Sequence, residues 1–218
     1  MRVVSRKEKK FLVDLAGAKK LEGILASVVA PDPHNGLQGY PIRSLYFDTL
    51  HDRDYAEKLM GTDPRRKVRL RVYDPSGDFA LLELKQKQGD NQRKRSLPVT
   101  REEARRLIDG DADVLLTHEE PFAAEMHALM SINGYSPKAI VEYDRMAFVA
   151  KENKTRVTFD RSVRATETNF DLFNVILEVK FDGFLLSYIR SLLNTIDKSE
   201  LSVSKYCLAR SVRMGYQF

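Results

Sequence analysis

Charged side chains recur at every second position in several segments of the chain, and this spacing could build an anion-binding site. Successive side chains of a β-strand point to opposite faces, so residues two apart are neighbours. The charged faces of five such segments consist of Arg6, Glu8 and Lys10; Arg69 and Arg71; Glu83, Lys85 and Lys87; Arg156, Thr158 and Asp160; and Glu178, Lys180 and Asp182. Aliphatic residues such as Leu70 and Val179 fill the alternate positions. A half-exposed sheet with its polar side in water would show the same alternation.

Two features favour an enclosed charged face over a solvated one. Arginine occurs at several of these positions, and its guanidinium binds phosphate oxygens through two parallel N–H groups. Helices also need the aliphatic faces to pack on, which would turn the charged faces inward. The interior would then hold eight basic and five acidic groups, an excess of three positive charges. Unpaired buried charge is unfavourable, so such a cavity would require an anion.

A linear chain of phosphates, or a triphosphate with a metal ion, suits this predicted cavity better than a compact anion. The acidic groups of the charged faces, Glu8 and Glu178 among them, are candidate ligands for a hard divalent cation. Such cations take oxygen donors and bridge phosphate groups.

An antiparallel sheet must hold these residues. Eight segments alternate with period two, and short turns join most of them. They are Val4–Leu12, Ile42–Asp48, Lys67–Tyr73, Phe79–Lys87, Arg93–Val99, Ala139–Ala150, Thr155–Arg161 and Val175–Phe181. Four segments have helical spacing: Asp14–Val29, Thr100–Ile108, His118–Ile132 and Phe184–Ile196. Thr100 and Glu103 form a predicted capping box. The predicted fold class is α+β, a closed eight-stranded antiparallel β-barrel with a charged lumen and helices packed outside.

The totals of the chain are typical of a cytoplasmic protein. No linker interrupts the 218 residues, so we expect one domain over residues 1–218. The single cysteine, Cys207, excludes an internal disulfide and favours a reducing compartment. No signal peptide is expected, and no apolar run approaches the ~20 residues of a membrane span.

Other catalytic motifs are absent from the sequence. It contains no glycine-rich phosphate loop, nucleophile elbow or zinc spacing, and its four histidines are scattered. The basic runs Arg65-Arg66-Lys67 and Arg93-Lys94-Arg95 could bind nucleic acid, although a solvated face or the mouth of a cavity is the preferred interpretation. The net charge of +5 favours an anionic partner without identifying one.

An ordered set of short motifs resembles the VTC-domain family, the polyphosphate polymerase branch of the triphosphate tunnel metalloenzymes. The motifs run in family order from residue 6 to about 208. They are Arg6-Lys-Glu-Lys-Lys-Phe11, Ser44-Leu-Tyr-Phe-Asp-Thr49 with Tyr55, Lys67-Val-Arg-Leu-Arg-Val-Tyr73, Leu82-Glu-Leu-Lys85, Tyr143-Asp-Arg-Met-Ala-Phe148, Thr155-Arg-Val-Thr-Phe-Asp160, Leu177-Glu-Val-Lys180 and Ser204-Lys-Tyr206.

The resemblance implies a tunnel barrel that binds a triphosphate end-on. The basic residues that it implies as phosphate contacts in catalysis are Lys10, Arg69, Arg71, Lys85, Arg145, Arg156, Lys180 and Lys205. Arg6 and either Lys94 or Arg95 are further candidates for substrate binding. Glu178 would hold the metal, Mn²⁺ or Mg²⁺, with Glu8 as a second candidate ligand.

The sequence also departs from the related triphosphatases and cyclases, which begin with Glu-x-Glu-x-Lys. Arg6 stands at the first of these positions, which removes a possible metal carboxylate. The first hypothesis is therefore a metal-dependent polyphosphate polymerase that uses a nucleoside triphosphate. Hydrolysis of tripolyphosphate or nucleoside triphosphates, and a non-catalytic polyphosphate-binding module, are the alternatives. Neither a nucleic-acid partner nor a membrane span is expected.

Overall fold

A computed structural model describes residues 6–89, 91–165, 170–200, 202 and 204–211, without the side chains of residues 6, 170, 171 and 211. The strands are β1 (Arg6–Val13), β2 (Ala30–Pro31), β3 (Tyr40–Asp48), β4 (Arg65–Val72), β5 (Phe79–Gln88), β6 (Asn91–Thr100), β7 (Ser136–Val149), β8 (Arg156–Ala165), β9 (Phe170–Leu172), β10 (Val175–Asp182) and β11 (Ser199–Glu200). The helices are α1 (Leu15–Val28), α2 (Arg53–Met60), α3 (Arg101–Ile108), a 3₁₀ helix (Ala112–Thr117), α4 (Pro121–Ile132), α5 (Ser187–Leu193) and α6 (Lys205–Ser211).

All the strands belong to one antiparallel sheet. Its order is β11-β1-β10-β8-β7-β3-β4-β5-β6, with β2 paired to β7 and β9 paired to β8. Eight strands contain eight residues or more, and they correspond to the eight predicted segments. The predicted start of the first strand, Val4, lies outside the described residues. The α+β class and the antiparallel sheet are therefore confirmed.

The predicted closed barrel is not confirmed. Among the described residues, β6 forms no ladder with β1 or β11, so the hydrogen-bonded sheet remains open. One reason is that β11 already occupies part of the free edge of β1, opposite Phe11 and Leu12. The sheet nevertheless curls until its two ends approach each other, since Lys85 Nζ of β5 lies 3.2 Å from Glu8 Oε2 of β1.

Helices cover the convex face of this curled sheet, as the alternation predicted. α1 and α5 pack on β1, β8 and β10 through a cluster that includes Leu21, Phe159 and Leu177. α3, α4 and the 3₁₀ helix pack on β4, β5 and β6 through a second cluster that includes Leu82 and Met126. The helices thus cover the aliphatic residues of the strands, and the charged residues lie on the concave face.

Two of the four predicted helices, α1 and α3, begin at side-chain caps. Asp14 Oδ1 accepts a hydrogen bond of 2.6 Å from Gly17 N at the start of α1. The capping box of α3 is confirmed, with Thr100 N donating to Glu103 Oε2 at 2.7 Å and Glu103 N donating to Thr100 Oγ1 at 3.2 Å. The fourth predicted helix is shorter than expected, and α2, the 3₁₀ helix and α6 were not predicted.

α6 lies on the concave face and covers its apolar part. Tyr206 of α6 stacks on Tyr46 of β3 with ring centroids 5.0 Å apart, and its hydroxyl donates to Asp48 Oδ2 at 2.7 Å. A third cluster, which includes Ile42 and Val141, surrounds these rings. α6 therefore closes part of the cavity and presents its first residue, Lys205, to the charged part. Within the described residues, no helix is long and apolar enough to cross a membrane.

Leu70 tests the assignment of the two faces. Its side chain is buried against the helices on the convex side. We expect Leu70→Ala to lower the free energy of unfolding by ~2–5 kcal/mol, because the substitution leaves a cavity in packed core. Urea denaturation measures this loss. The exposed Leu59 of α2 provides the control, and equal, small effects of Leu70→Ala and Leu59→Ala would contradict the assignment.

Candidate functional site

The buried carboxylate of Glu83 organises the first group of charges on the concave face. It lies 2.7 Å from Arg69 Nε, 2.6 Å from Arg69 Nη2 and 2.7 Å from Lys94 Nζ. Burial acts to raise the pKa of Glu83, but Arg69 and Arg71 outweigh it and hold the pKa at about 2. Glu83 thus remains ionised and fixes the Arg69 guanidinium in the cavity.

Asp160 organises the second group. Arg145 donates to it from two nitrogens, Nε to Oδ1 at 2.6 Å and Nη2 to Oδ2 at 2.8 Å. Lys205 of α6 adds a third contact at 2.5 Å. Burial disfavours the charged form of Asp160, yet Arg145 and Lys205 lower its pKa. This carboxylate joins β7, β8 and α6 in one fixed arrangement.

A checkerboard of charge covers β1 and β10. The strand register places Glu8 opposite Lys180 and Lys10 opposite Glu178. Each acid also pairs along its own strand, Glu8 with Lys10 and Glu178 with Lys180, both at 2.5 Å. Burial and the charge of Glu178 raise the pKa of Glu8, but Lys10, Lys85 and Lys180 bring it down to about 2. Both acids of the checkerboard are ionised, because the pKa of Glu178 is lowered as well.

Hydroxyl groups that the charge pattern did not reveal hold two of the arginines. Arg71 donates from Nη2 to the Tyr143 hydroxyl at 3.2 Å and from Nε to Ser44 Oγ at 3.3 Å. Arg69 Nη1 donates to the Tyr46 hydroxyl at 3.2 Å. The sequence did contain a signal for these contacts. Ser44 and Tyr46 are two residues apart on β3, so they lie on one face, and they pair opposite Arg71 and Arg69.

Arg156 is held by a loop residue, which no strand pattern could predict. Its Nη2 lies 2.5 Å from Asp32 Oδ2 and donates to the Tyr40 hydroxyl at 3.1 Å. Asp32 also accepts hydrogen bonds from His34, at its backbone N and ring Nδ1.

The predicted substrate-binding residues Lys94 and Arg95 lie on opposite faces of β6. Arg95 lies on the helix-facing side, paired with Glu125 and placed 4.6 Å from the centroid of the Phe122 ring. Of the two neighbours, Lys94 is the residue that reaches the charged face, where it pairs with Glu83. The side chain of Arg6 lies outside the described residues.

A basic cavity of about 270 Å³ continues from the site beyond Lys10 and Lys85. Its further wall contains basic and amide residues that the resemblance did not assign as phosphate contacts: Lys58, Arg65, Arg66, Lys67, Lys87 and Gln92. Glu200, Ser202 and Ser204 line the cavity as well. Among the described residues, Lys58, Lys67 and Lys87 form no ion pair. Burial, together with the charges of Lys10 and Lys85, lowers the pKa of Lys67 to about 7. Burial likewise lowers the pKa of Lys85 to about 8.

The carboxylates of the site suit a metal ion that is shared with the substrate. In the part of the chain that the structure describes, no cluster of three or more metal-binding side chains occurs. Glu8 and Glu178 are close enough for the charge of Glu178 to raise the pKa of Glu8. Mg²⁺ is commonly held by one or two carboxylates plus substrate phosphates, and this donor set fits that pattern.

The chain matches one known protein family over nearly its whole length. The family model, described as the VTC domain, matches residues 5–213, so this chain is a member of the family. No match was found among curated proteins.

Two solved structures of distant proteins are similar to this chain. A putative adenylate cyclase from Bacillus halodurans is 15% identical, with a TM-score of 0.54 over 88% of each chain. A putative adenylate cyclase from Vibrio parahaemolyticus is 13% identical, with a TM-score of 0.47 over 87% of this chain and 85% of that one. At 15% identity, the likeness to the Bacillus halodurans protein concerns the fold alone.

Lys67 should make anion binding depend on pH. Its pKa of about 7 means that it loses its proton as the pH rises from 6 to 8. We expect the affinity for tripolyphosphate, measured calorimetrically without metal, to fall over this range. Lys67→Arg keeps the charge and should reduce the fall, whereas Lys67→Met should bind weakly at pH 6 and keep only the smaller fall that Lys85, with its pKa of about 8, contributes. An unchanged pH profile in both variants would contradict this role.

Proposed function

We propose that this protein is a metal-dependent polyphosphate polymerase. In the proposed reaction, a terminal oxygen of a polyphosphate chain attacks the γ-phosphorus of a nucleoside triphosphate. The bond between the γ-phosphorus and the β–γ bridging oxygen breaks, and a nucleoside diphosphate leaves. The site would lie within a tunnel that the curled sheet forms, and the protein would act in the cytoplasm.

The basic cavity beyond Lys85 is the observation that carries this proposal. A triphosphatase needs cations for three phosphates only. Here the cationic wall extends along β4 from Arg71 through Lys67 to Arg65, and β4 spans ~23 Å at ~3.3 Å per residue. The lysines in this extension have no carboxylate partners among the described residues. They provide binding positions for a polyanion longer than the nucleotide's own phosphates.

The fixed arginines would bind the triphosphate. Arg69, Arg71 and Arg145 are held by Glu83, the Tyr143 hydroxyl and Asp160 respectively, so their guanidiniums need little reorganisation when phosphate arrives. The other proposed phosphate contacts are Lys10, Lys85, Lys180, Lys205 and Arg156. Lys94, which pairs with Glu83, would add one more contact. Phosphoryl transfer depends mainly on such positioning and on spreading of the developing charge.

Glu178 and Glu8 would hold the divalent cation together with the substrate phosphates. When bound, Mn²⁺ or Mg²⁺ would neutralise phosphate charge and orient the reacting groups. An acceptor phosphate is already ionised and needs no general base. This agrees with a described site whose carboxylates are all paired with cations rather than free to accept a proton.

Formation of polyphosphate from ATP tests the proposal. With Mn²⁺ or Mg²⁺, we expect ADP and a polyphosphate ladder on a sizing gel. Release of phosphate without chain growth would identify a hydrolase instead. A folded protein that binds polyphosphate but turns over no ATP with either metal would be a binding module.

Arginine variants connect that activity to the concave face. Arg71→Ala should lower kcat/KM by about 30-fold, because a charge-assisted contact is worth ~2 kcal/mol. Arg43→Ala is the matched control, since Arg43 lies on the same pair of strands but faces outward and pairs with Glu142. Equal activities of the two variants would contradict the assignment of the site.

Glu178→Gln tests the role of the proposed metal ligand. The variant keeps the shape of the side chain and removes its charge. We expect it to lose catalysis and metal activation while keeping its affinity for polyphosphate, because repulsion between carboxylate and phosphate is relieved. If Glu178 is only the ion-pair partner of Lys180, the variant should melt at a lower temperature and turn over normally at saturating metal. Activity against metal concentration, with a melting curve of the same preparation, separates the two results.

A further inference from the structure

Three aromatic side chains surround the end of the site that lies opposite the basic cavity. The ring of Tyr40 lies 6.3 Å from that of His34 and 6.2 Å from that of Tyr73, centroid to centroid. The side chain of His34 is 83% exposed and Tyr73 is 43% exposed. We call these three residues the aromatic rim. Two of its three side chains are thus exposed to solvent at the point where the charged face ends.

The aromatic rim is attached directly to the proposed phosphate contacts. The Tyr40 hydroxyl accepts a hydrogen bond from Arg156, and the Arg71 guanidinium carbon lies 5.9 Å from the centroid of the Tyr73 ring. Tyr73 follows β4 at the end remote from Arg65 of the basic cavity. The two ends of the site therefore differ in chemistry: one is aromatic and the other is cationic.

We propose that the aromatic rim binds the base of the nucleoside triphosphate by stacking. This inference rests on the proposed function, and it assigns a direction to the substrate. The nucleoside lies at Tyr73, the triphosphate extends past Arg71 and Arg69, and the polyphosphate continues towards Lys67. Aromatic side chains bind bases in this way because every base has a π face.

The hydrogen-bonding groups next to the Tyr40 ring are already engaged, which indicates little selectivity among bases. Asp32 already pairs with Arg156 and His34, and the Tyr40 hydroxyl is engaged with Arg156. Stacking without dedicated hydrogen-bond partners tolerates different bases. Purine nucleotides should bind somewhat better than pyrimidine nucleotides, since a purine covers more of the ring surface.

Equilibrium binding of two ligands tests the aromatic rim without turnover. The ligands are a non-hydrolysable ATP analogue and inorganic tripolyphosphate, each titrated with Mg²⁺. Tyr73→Ala should weaken binding of the analogue roughly tenfold, as expected for one stacked base, and change binding of tripolyphosphate less than twofold. Tyr73→Phe should restore binding of the analogue. His34→Ala, at a largely exposed position, should weaken the analogue selectively by a smaller factor.

The controls separate this inference from the proposed reaction. Tyr188→Ala removes a tyrosine from α5, on the convex side, and should leave both affinities unchanged. Equal weakening of both ligands by Tyr73→Ala, or no weakening of the analogue by either rim variant, would overturn the rim even in an active polymerase. Selective weakening in a protein that forms no polyphosphate would instead overturn the proposed reaction and support the rim.

Discussion

The concave face depends on keeping carboxylates ionised while they are removed from water. Glu83, Asp160 and Glu178 are all buried, and each has a lowered pKa because cations on neighbouring elements outweigh the cost of burial. Removing one partner of such a pair would leave an uncompensated charge, which is strongly unfavourable. Pairs of the same kind also join strands that are not neighbours in the sheet, as Lys85 of β5 and Glu8 of β1 do where the two ends of the curled sheet approach each other.

A further buried carboxylate, that of Asp48, explains motifs that carry no obvious chemistry. Asp48 ends β3 and accepts hydrogen bonds from the backbone N–H groups of Thr49, Asp54 and Tyr55 and from the Tyr206 hydroxyl. It therefore caps the turn into α2 and attaches α6 to the sheet. Since Lys205 precedes Tyr206, this attachment brings the lysine to Asp160. Tyr206 and Asp48 thus act by positioning other residues, among them Lys205.

Strand parity made the sheet and its two faces predictable, because each strand alternates charged and aliphatic residues and long helices pack on the aliphatic side. The resemblance left Lys94 and Arg95 as alternatives, whereas parity separates them, because Arg95 shares a face with the buried Leu97 and Val99. Parity could not find α6, whose seven residues are too few to show a helical period. The pairing of Asp32 with Arg156 depends on a loop that approaches from a distant part of the chain. Whether the sheet closes into a barrel depends on which strand pairs with the free edge of β1, and β11 pairs with part of it.

The order of side chains along one strand, β4, indicates the direction in which a ligand would lie in the site. Alternate residues of β4 and its continuation read Arg65, Lys67, Arg69, Arg71 and Tyr73, on one face at intervals of ~7 Å. A compact anion could reach only one or two of these cations and would leave Lys67, which has no carboxylate partner among the described residues, without a counter-charge. A linear polyanion meets each in turn, and an aromatic residue follows where the cations stop. The order of side chains along β4 thus matches a ligand that is charged along its length and aromatic at one end.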